Sequence, residues 1–364
     1  QVFNSYMDTT SRNETGIQPL KSAMNKIKNI SNIEDLQTVL AKDPVELSSP
    51  FMGLFVYSDP NDSDTNVAYI GTGGLGLPER DYYLKDDEDS KKVREDYKVF
   101  IADMMQMAGE DEATAKAKAE TVLKYETILA EPRLSKVERR DFRNYNNRYA
   151  VEDIKNLTPC VNWKKFMKDL GVEKLPDTVL VMETKYMKTL DSVLKNSPIQ
   201  DLKTLVEWST LNSAAGMLSM EMDRRNWEFY SKNLRGAKAQ KPIDERALGV
   251  VNGSIGEAVG QLYVDEKFPP EAKEKAEKRA KILQRRWTLN FNFTKKVTVK
   301  PFVLVTSEPA RHPSYCRMSI NDFFASGKGG DFEPDDYQVL ANVGNSRYGG
   351  EASGSFSVVY LQAG

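Results

Sequence analysis

Few residues in this chain are of the kinds that make or break bonds, and their spacing limits what each can do. The single histidine, His312, stands at i and Cys316 at i+4. That spacing places two metal ligands on one helix face, but Pro313 opposes a helix there, and two ligands do not complete a zinc site. His312 is therefore read as a surface or turn residue. As the base of a hydrolytic triad it lacks a nucleophile elbow of the G-x-S-x-G type. Ser192-Val193-Leu194-Lys195 has S-x-x-K spacing without its companion motifs, and reads as a solvated helix face. Lys328, in Gly327-Lys328-Gly329, lacks the spacing and the following Ser/Thr of a P-loop.

Gly71, Gly73 and Gly76 satisfy G-x-G-x-x-G after a strand-like run, Asn66 to Ile70. In a dinucleotide fingerprint the last glycine opens a helix that offers free N–H groups to pyrophosphate. Here Pro78, Tyr82 and Tyr83 follow, and the next helical pattern begins near Asp89. Nucleotide binding is not the expected use. The glycines permit positive φ or close backbone approach, and Pro78 fixes the exit. Glu79, Arg80 and Asp81 are read as a structural salt bridge locking this loop, because breaking a partly buried pair strands a charge. Arg140 and Asp141 are read the same way.

The elements around the loop are mostly helical. Ile17, Leu20, Met24 and Ile27 fall at helical spacing. Ser31 and Glu34 read as a capping box for a helix burying Ile33, Leu36, Val39 and Leu40, which Pro44 ends. Phe51–Tyr57 and Asn66–Ile70 read as a hairpin around a turn at Ser58 to Asp64. Val93, Tyr97, Phe100, Ile101, Met104 and Met105 form one helical stripe. Val122, Tyr125, Ile128 and Leu129 form another, capped by Asp111. Thr158-Pro159 reads as a helix start, with Gly171 as its C-cap. Residues 199–230 and 244–263 continue the pattern. Pro269-Pro270 precedes a charged helix, Glu271 to Arg286. The expected fold is mainly α, a multi-helix domain with a small β-hairpin, followed by a short β-rich C-terminal segment.

Four blocks carry a resemblance. Gly76-Leu77-Pro78-Glu79-Arg80-Asp81-Tyr82-Tyr83 is similar to a signature of the neprilysin-like zinc metalloendopeptidases, in the helical domain that precedes their catalytic domain. Phe3-Asn4-Ser5-Tyr6-Met7-Asp8 resembles their Tyr-x-Ser-Cys-Met-Asp, with Tyr6 where many members carry Cys. Arg140-Asp141 with Tyr145-Asn146 resembles their Arg-Asp…Tyr-Asn segment. The run from Val251 to Tyr263, with Asn252, Gly253, Gly256 and Glu257, is similar to another block and continues into Phe268-Pro269-Pro270. The resemblance covers residue 1 to about 285. It implies a peptide-hydrolysing family whose helical cap domain gates substrate access to a zinc-bound water. It also implies an extracytoplasmic location and a further segment upstream of residue 1. The residues in the blocks are a structural signature, with no catalytic, cofactor or metal ligand among them.

The zinc chemistry of that family needs His-Glu-x-x-His, two histidines one helical turn apart with glutamate as base. A chain with one histidine cannot contain it. Zinc thus belongs to the full-length family, and no cofactor is expected in this chain. Peptide substrates are expected to meet a catalytic domain outside it. The alternative is a non-enzymatic binding or scaffold protein, made of a cap-like helical domain and a β-rich module.

The net charge of −2, without a block of one sign, argues against a nucleic-acid partner, since phosphate binding needs a concentrated basic surface. No apolar run approaches the ~20 residues of a membrane span. Composition changes near residue 288. Residues 288–364 hold 14 charged residues in 77, against 90 in 287 before them, and 8 of the 22 glycines. Leu289, Phe291 and Phe293, then Val297 and Val299, alternate as strands do. The expected domains are 1–287, helical, and 288–364, a β-rich segment that does not resemble the family.

Overall fold

A computed structural model describes residues 1–268, 270–279, 298–306, 337–344 and 355–362. The chain divides into two compact units, Gln1–Gly256 and Glu257–Gly364. The expected boundary at 287/288 lies outside the described residues, as do His312, Cys316, Lys328 and the strand expected at 289–293.

The first unit begins with helices α1 (Val2–Met7), α2 (Thr9–Thr15), α3 (Lys21–Lys28) and α4 (Ile33–Lys42). The cap of α4 sits one residue from the expected box. Asn32 accepts from the Asp35 amide at 2.9 Å, and Asp35 accepts from the Ser31 amide at 3.1 Å. Asparagine serves as N-cap as well as serine does, so the composition allowed either frame.

Strands β1 (Met52–Asp59) and β2 (Asp62–Thr72) form an antiparallel hairpin, with Leu54 opposite Ile70. The hairpin is longer than expected, and its turn is confined to Pro60-Asn61. Then come α5 (Asp81–Leu84), α6 (Glu88–Met107) and α7 (Glu112–Ala130). Asp111 caps α7 as expected, accepting from the Thr114 amide at 3.0 Å. Two short strands, β3 (Asn147–Ala150) and β4 (Thr178–Val181), enlarge the hairpin to a four-stranded mixed sheet, β1-β2-β4-β3. β4 runs parallel to β2 and antiparallel to β3. Between them α8 (Trp163–Asp169) starts at an Asn162 cap, four residues after Thr158. The buried Thr158 hydroxyl instead accepts from the Trp163 indole at 2.8 Å.

Helices α9 (Thr184–Asn196), α10 (Ile199–Ala214), α11 (Met220–Trp227) and α12 (Ile243–Lys267) follow. A π turn, Glu228–Asn233, extends α11, and Ile255 interrupts α12. Among the described residues of the second unit, β5 (Thr298–Thr306), β6 (Tyr337–Gly344) and β7 (Ser355–Gln362) pair antiparallel in the order β5-β7-β6. No helix of the described residues is long and apolar enough to cross a membrane.

The core of the first unit is aromatic at its centre. Phe100 of α6 stacks on Phe229, ring centroids 4.6 Å apart, and Trp208 of α10 meets Phe100 edge-on at 5.5 Å. Tyr97, one turn earlier, packs on Phe229 at 5.5 Å. Alanines at 115 and 119 give α7 a flat buried face, so α6 can lie close along it. Phe100→Ala should leave a cavity among these rings and cost about 3–5 kcal/mol. The fall in urea-unfolding free energy measures it, and a loss below about 1 kcal/mol would contradict this packing.

Candidate functional site

The loop from Gly71 to Tyr83 crosses the aromatic core, and its glycines act by close approach. Among the described residues positive φ falls at Gly16, Gly109, Gly171 and Gly236, outside the loop. A Cβ on Gly73 would overlap the Pro50 carbonyl, and one on Gly76 would overlap the Tyr97 hydroxyl. The Gly73 amide bonds to the Phe51 carbonyl at 3.1 Å. The Gly76 amide donates to Oε1 of Glu126 at 3.1 Å. The amides of Gly73 and Gly76 are thus already engaged by the protein.

Glu126 is the acid around which the loop is built. It lies 6% exposed on α7, on the same stripe as Ala115, Ala119, Val122 and Leu129. Ile128, expected on that stripe, is 37% exposed. Oε2 of Glu126 accepts from the Tyr83 hydroxyl at 2.6 Å and the Tyr97 hydroxyl at 3.0 Å. Each hydroxyl is itself an acceptor. Tyr83 takes the Leu77 amide at 2.7 Å, and Tyr97 takes the Trp208 indole N–H at 2.8 Å. Both phenolic protons are therefore directed at the carboxylate. Burial pushes the Glu126 carboxyl up to about 7, while Tyr83, Tyr97, the Gly76 amide and Arg133 hold it down. Burial first, and the neighbouring carboxylate second, raise both phenols well above their ordinary range, so they stay donors.

Glu79, Arg80 and Asp81 do not form the expected salt bridge, and each has another partner. Glu79 pairs with Arg139, and with Lys136 at 3.8 Å. Asp81 pairs with Lys85 at 3.1 Å on the surface. Arg80 turns inward, and its Nη1 donates to the Arg133 carbonyl at 2.6 Å. Likewise Asp141 pairs with Arg143 rather than Arg140, at 2.6 Å. Adjacent side chains point apart, at the start of α5 for Arg80-Asp81 and at an extended Asp141 for Arg140-Asp141, so neither dipeptide closes on itself. Of the other signature residues, Leu77 is buried against the core, Pro78 and Tyr82 sit on the loop and α5, and Asn252, Gly253 and Glu257 lie exposed on α12 beside half-buried Gly256. Tyr6, buried on α1, accepts from Arg246 at 3.0 Å, and Arg246 also bonds Asp223. The tyrosine thus ties α1 to α12, and the ion pair ties α12 to α11.

Sequence reasoning missed Glu126 and Arg133. The signal for Glu126 was an acid at helical spacing between Val122 and Leu129. Arg133 donates to the Gly73 carbonyl at 2.7 Å and lies 5.0 Å above the Tyr186 ring. Beside it open two clefts, of about 130 Å³ and about 580 Å³, which share Arg80, Arg133, Leu134 and Glu183 as walls.

A many-helix unit with a four-stranded mixed sheet and a glycine loop keyed to a buried acid defines the class of domain. The family model described as Peptidase family M13 matches residues 1–291. The chain belongs to peptidase family M13, and the match is to the N-terminal domain of its neprilysin-like members. It is 28% identical to endothelin-converting enzyme-like 1 of Rattus norvegicus over 248 residues, covering 67% of this chain and 32% of that protein. It is 24% identical to endothelin-converting enzyme 1 of Mus musculus over 284 residues, covering 74% and 36%. The solved zinc metalloprotease Zmp1 of Mycobacterium tuberculosis in its open state matches with TM-score 0.71 and 25% identity, over 82% of this chain and 46% of that one. PepO of Lactobacillus rhamnosis shares the fold, with TM-score 0.66 and 18% identity, over 81% and 47%. The chain spans about a third of the length of these curated relatives and under half of the solved ones.

Two predictions test the loop. Gly76→Ala should destabilise by about 2–3 kcal/mol through overlap with Tyr97, and an unchanged melting temperature would refute the close approach. For Glu126, the folded value near 7 lies above the ordinary 4.5. Below 4.5 folded and unfolded chains both hold the proton, above 7 neither does, and between them only the folded chain does. Stability from this group should thus be lost as pH rises through that window, by on the order of 3 kcal/mol. Unfolding free energies of wild type and Glu126→Gln from pH 5 to pH 8 check this: the variant should lack that slope, and equal slopes would overturn the assignment.

Proposed function

We propose that this chain supplies the substrate-gating helical domain of a neprilysin-like zinc metalloendopeptidase, and that it carries no catalytic residue of its own. The observation that carries the reading is the match of residues 1–291 to the N-terminal family model, in a sequence with a single histidine. A single histidine does not supply the His-Glu-x-x-His donor set. His312 lies outside the described residues, and among the described residues no group of three or more His, Cys, Asp or Glu side chains is placed to hold a metal.

On this reading residues 1–287 form the gating domain, and 288–364 are a β-rich segment outside it. Gly76, Leu77, Pro78, Arg80, Asp81, Tyr82 and Tyr83 build one wall of the domain, and none of them is catalytic. The hydrolysed peptides meet a catalytic domain beyond this chain, in an extracytoplasmic compartment. The domain limits which peptides reach that partner and orders its own wall through Glu126 and Arg133.

The test is metal content and peptidase activity of the purified 364-residue chain, with and without added zinc. The expected result is no stoichiometric zinc and no cleavage. Metal-dependent, chelator-sensitive cleavage by the pure chain would overturn the reading.

A further inference from the structure

The larger cleft, about 580 Å³, is of a size that holds a small ligand or the end of a peptide. Its walls come from the loop before α5, the segment after α7, the start of β3 and the first turn of α9. Two guanidiniums stand in the wall it shares with the smaller cleft. Arg80 is anchored by the Arg133 carbonyl at 2.6 Å, and Arg133 by the Gly73 carbonyl at 2.7 Å. Carbonyls orient these groups without neutralising them. Among the described residues neither guanidinium lies at salt-bridge distance from a carboxylate, and the Nε of Arg80 is buried with no acceptor.

The third donor set is the N-terminus of α9, a helix of 13 residues. Glu183 occupies its N-cap position, but its side chain makes no cap bond. It accepts the Leu134 amide instead, at 2.7 Å. The first bond within the helix runs from the Met187 amide to the Glu183 carbonyl. Among the described residues the amides of Thr184 and Lys185 therefore have no acceptor, and both residues line the cleft. Unpaired amides at a helix start favour an anion.

Glu131, Glu138 and Glu183 are the acids that face this cleft, against Arg80, Arg133 and Lys185. Glu138 is held by the Ser135 amide at 2.8 Å. Burial raises the Glu183 carboxyl above its ordinary range, against the pull of the Leu134 amide and of Arg133, Arg139 and Arg80.

We propose that the cleft between Arg80, Arg133 and the first turn of α9 is a carboxylate-binding site, which takes the carboxylate of a peptide. A planar guanidinium held by a carbonyl offers a carboxylate paired N–H donors at little ordering cost. The peptide part of this assignment rests on the gating role proposed above; the carboxylate part rests on the cleft alone. A peptide carboxylate has two sources, the C-terminus and an acidic side chain.

The experiment is calorimetric titration of the 364-residue chain with three peptides. These are N-acetyl-Ala-Ala-Ala with a free C-terminus, its C-terminal amide, and N-acetyl-Ala-Glu-Ala-amide. At least one acid-bearing peptide should bind about tenfold or more tighter than the neutral amide, and the one that does identifies the source. Arg80→Gln should lose about tenfold of that affinity, and exposed Lys185→Gln about threefold. Arg80→Gln is scored only with the melting temperature of a folded chain, and Lys185→Gln stands as the second variant. Equal binding of all three peptides, no binding by either acid, or a Lys185→Gln titration identical to wild type would each overturn the site. Because binding is read without cleavage, its failure leaves the gating role standing, and that role is tested separately by metal content and activity.

Discussion

A carboxyl group buried inside a helical core sets the main constraint on this domain. Moving such a group out of water costs several kcal/mol unless donors surround it. Glu126 meets that demand with three donors from three places, the Gly76 amide and the hydroxyls of Tyr83 and Tyr97. The loop must come close enough to deliver its amide, and only glycine fits beneath the Tyr97 hydroxyl. Pro78 and the single turn of α5 then return Tyr83 to the other oxygen of the same carboxyl group. Loop, α5, α6 and α7 are locked by one residue's need for partners.

From that lock the wall of the clefts follows. With the loop fixed, the Gly73 carbonyl is available to Arg133, and the Arg133 carbonyl to Arg80. Tyr186 of α9 reaches the Phe51 carbonyl at 2.6 Å, which brings the start of α9 to the same region. The polar surface of the clefts is thus a by-product of how the loop is pinned. Its arginines are held by backbone atoms, which fixes their direction and leaves their charge for something else to balance.

Membership of peptidase family M13 gives this wall a context, since the matched region is an N-terminal domain and spans a third to a half of its relatives' length. The gating role proposed for it would need a rigid interior and a polar inner surface. The aromatic stack of Phe100, Trp208 and Phe229 supplies the first. The clefts beside Arg80 and Arg133 are a candidate for the second.

The sequence by itself determined the helical class, the hairpin, the Asp111 cap and the family, because each is written in local spacing or in a contiguous block. It also determined that the glycine loop is special. Its chemistry was legible only in part. The pairing of Glu79 with Arg139 and the insertion of β3 and β4 into the sheet join residues far apart in the chain, and spacing carries no information about such partners. The cap of α4 moved by one residue because neighbouring polar residues compete for the same amides. Glu126 was visible only as an acid out of place on an apolar stripe. That it is buried, and that Gly76, Tyr83 and Tyr97 converge on it, was decided by the tertiary structure alone, because burial and the satisfaction of a buried charge belong to the whole packed domain and to no single segment.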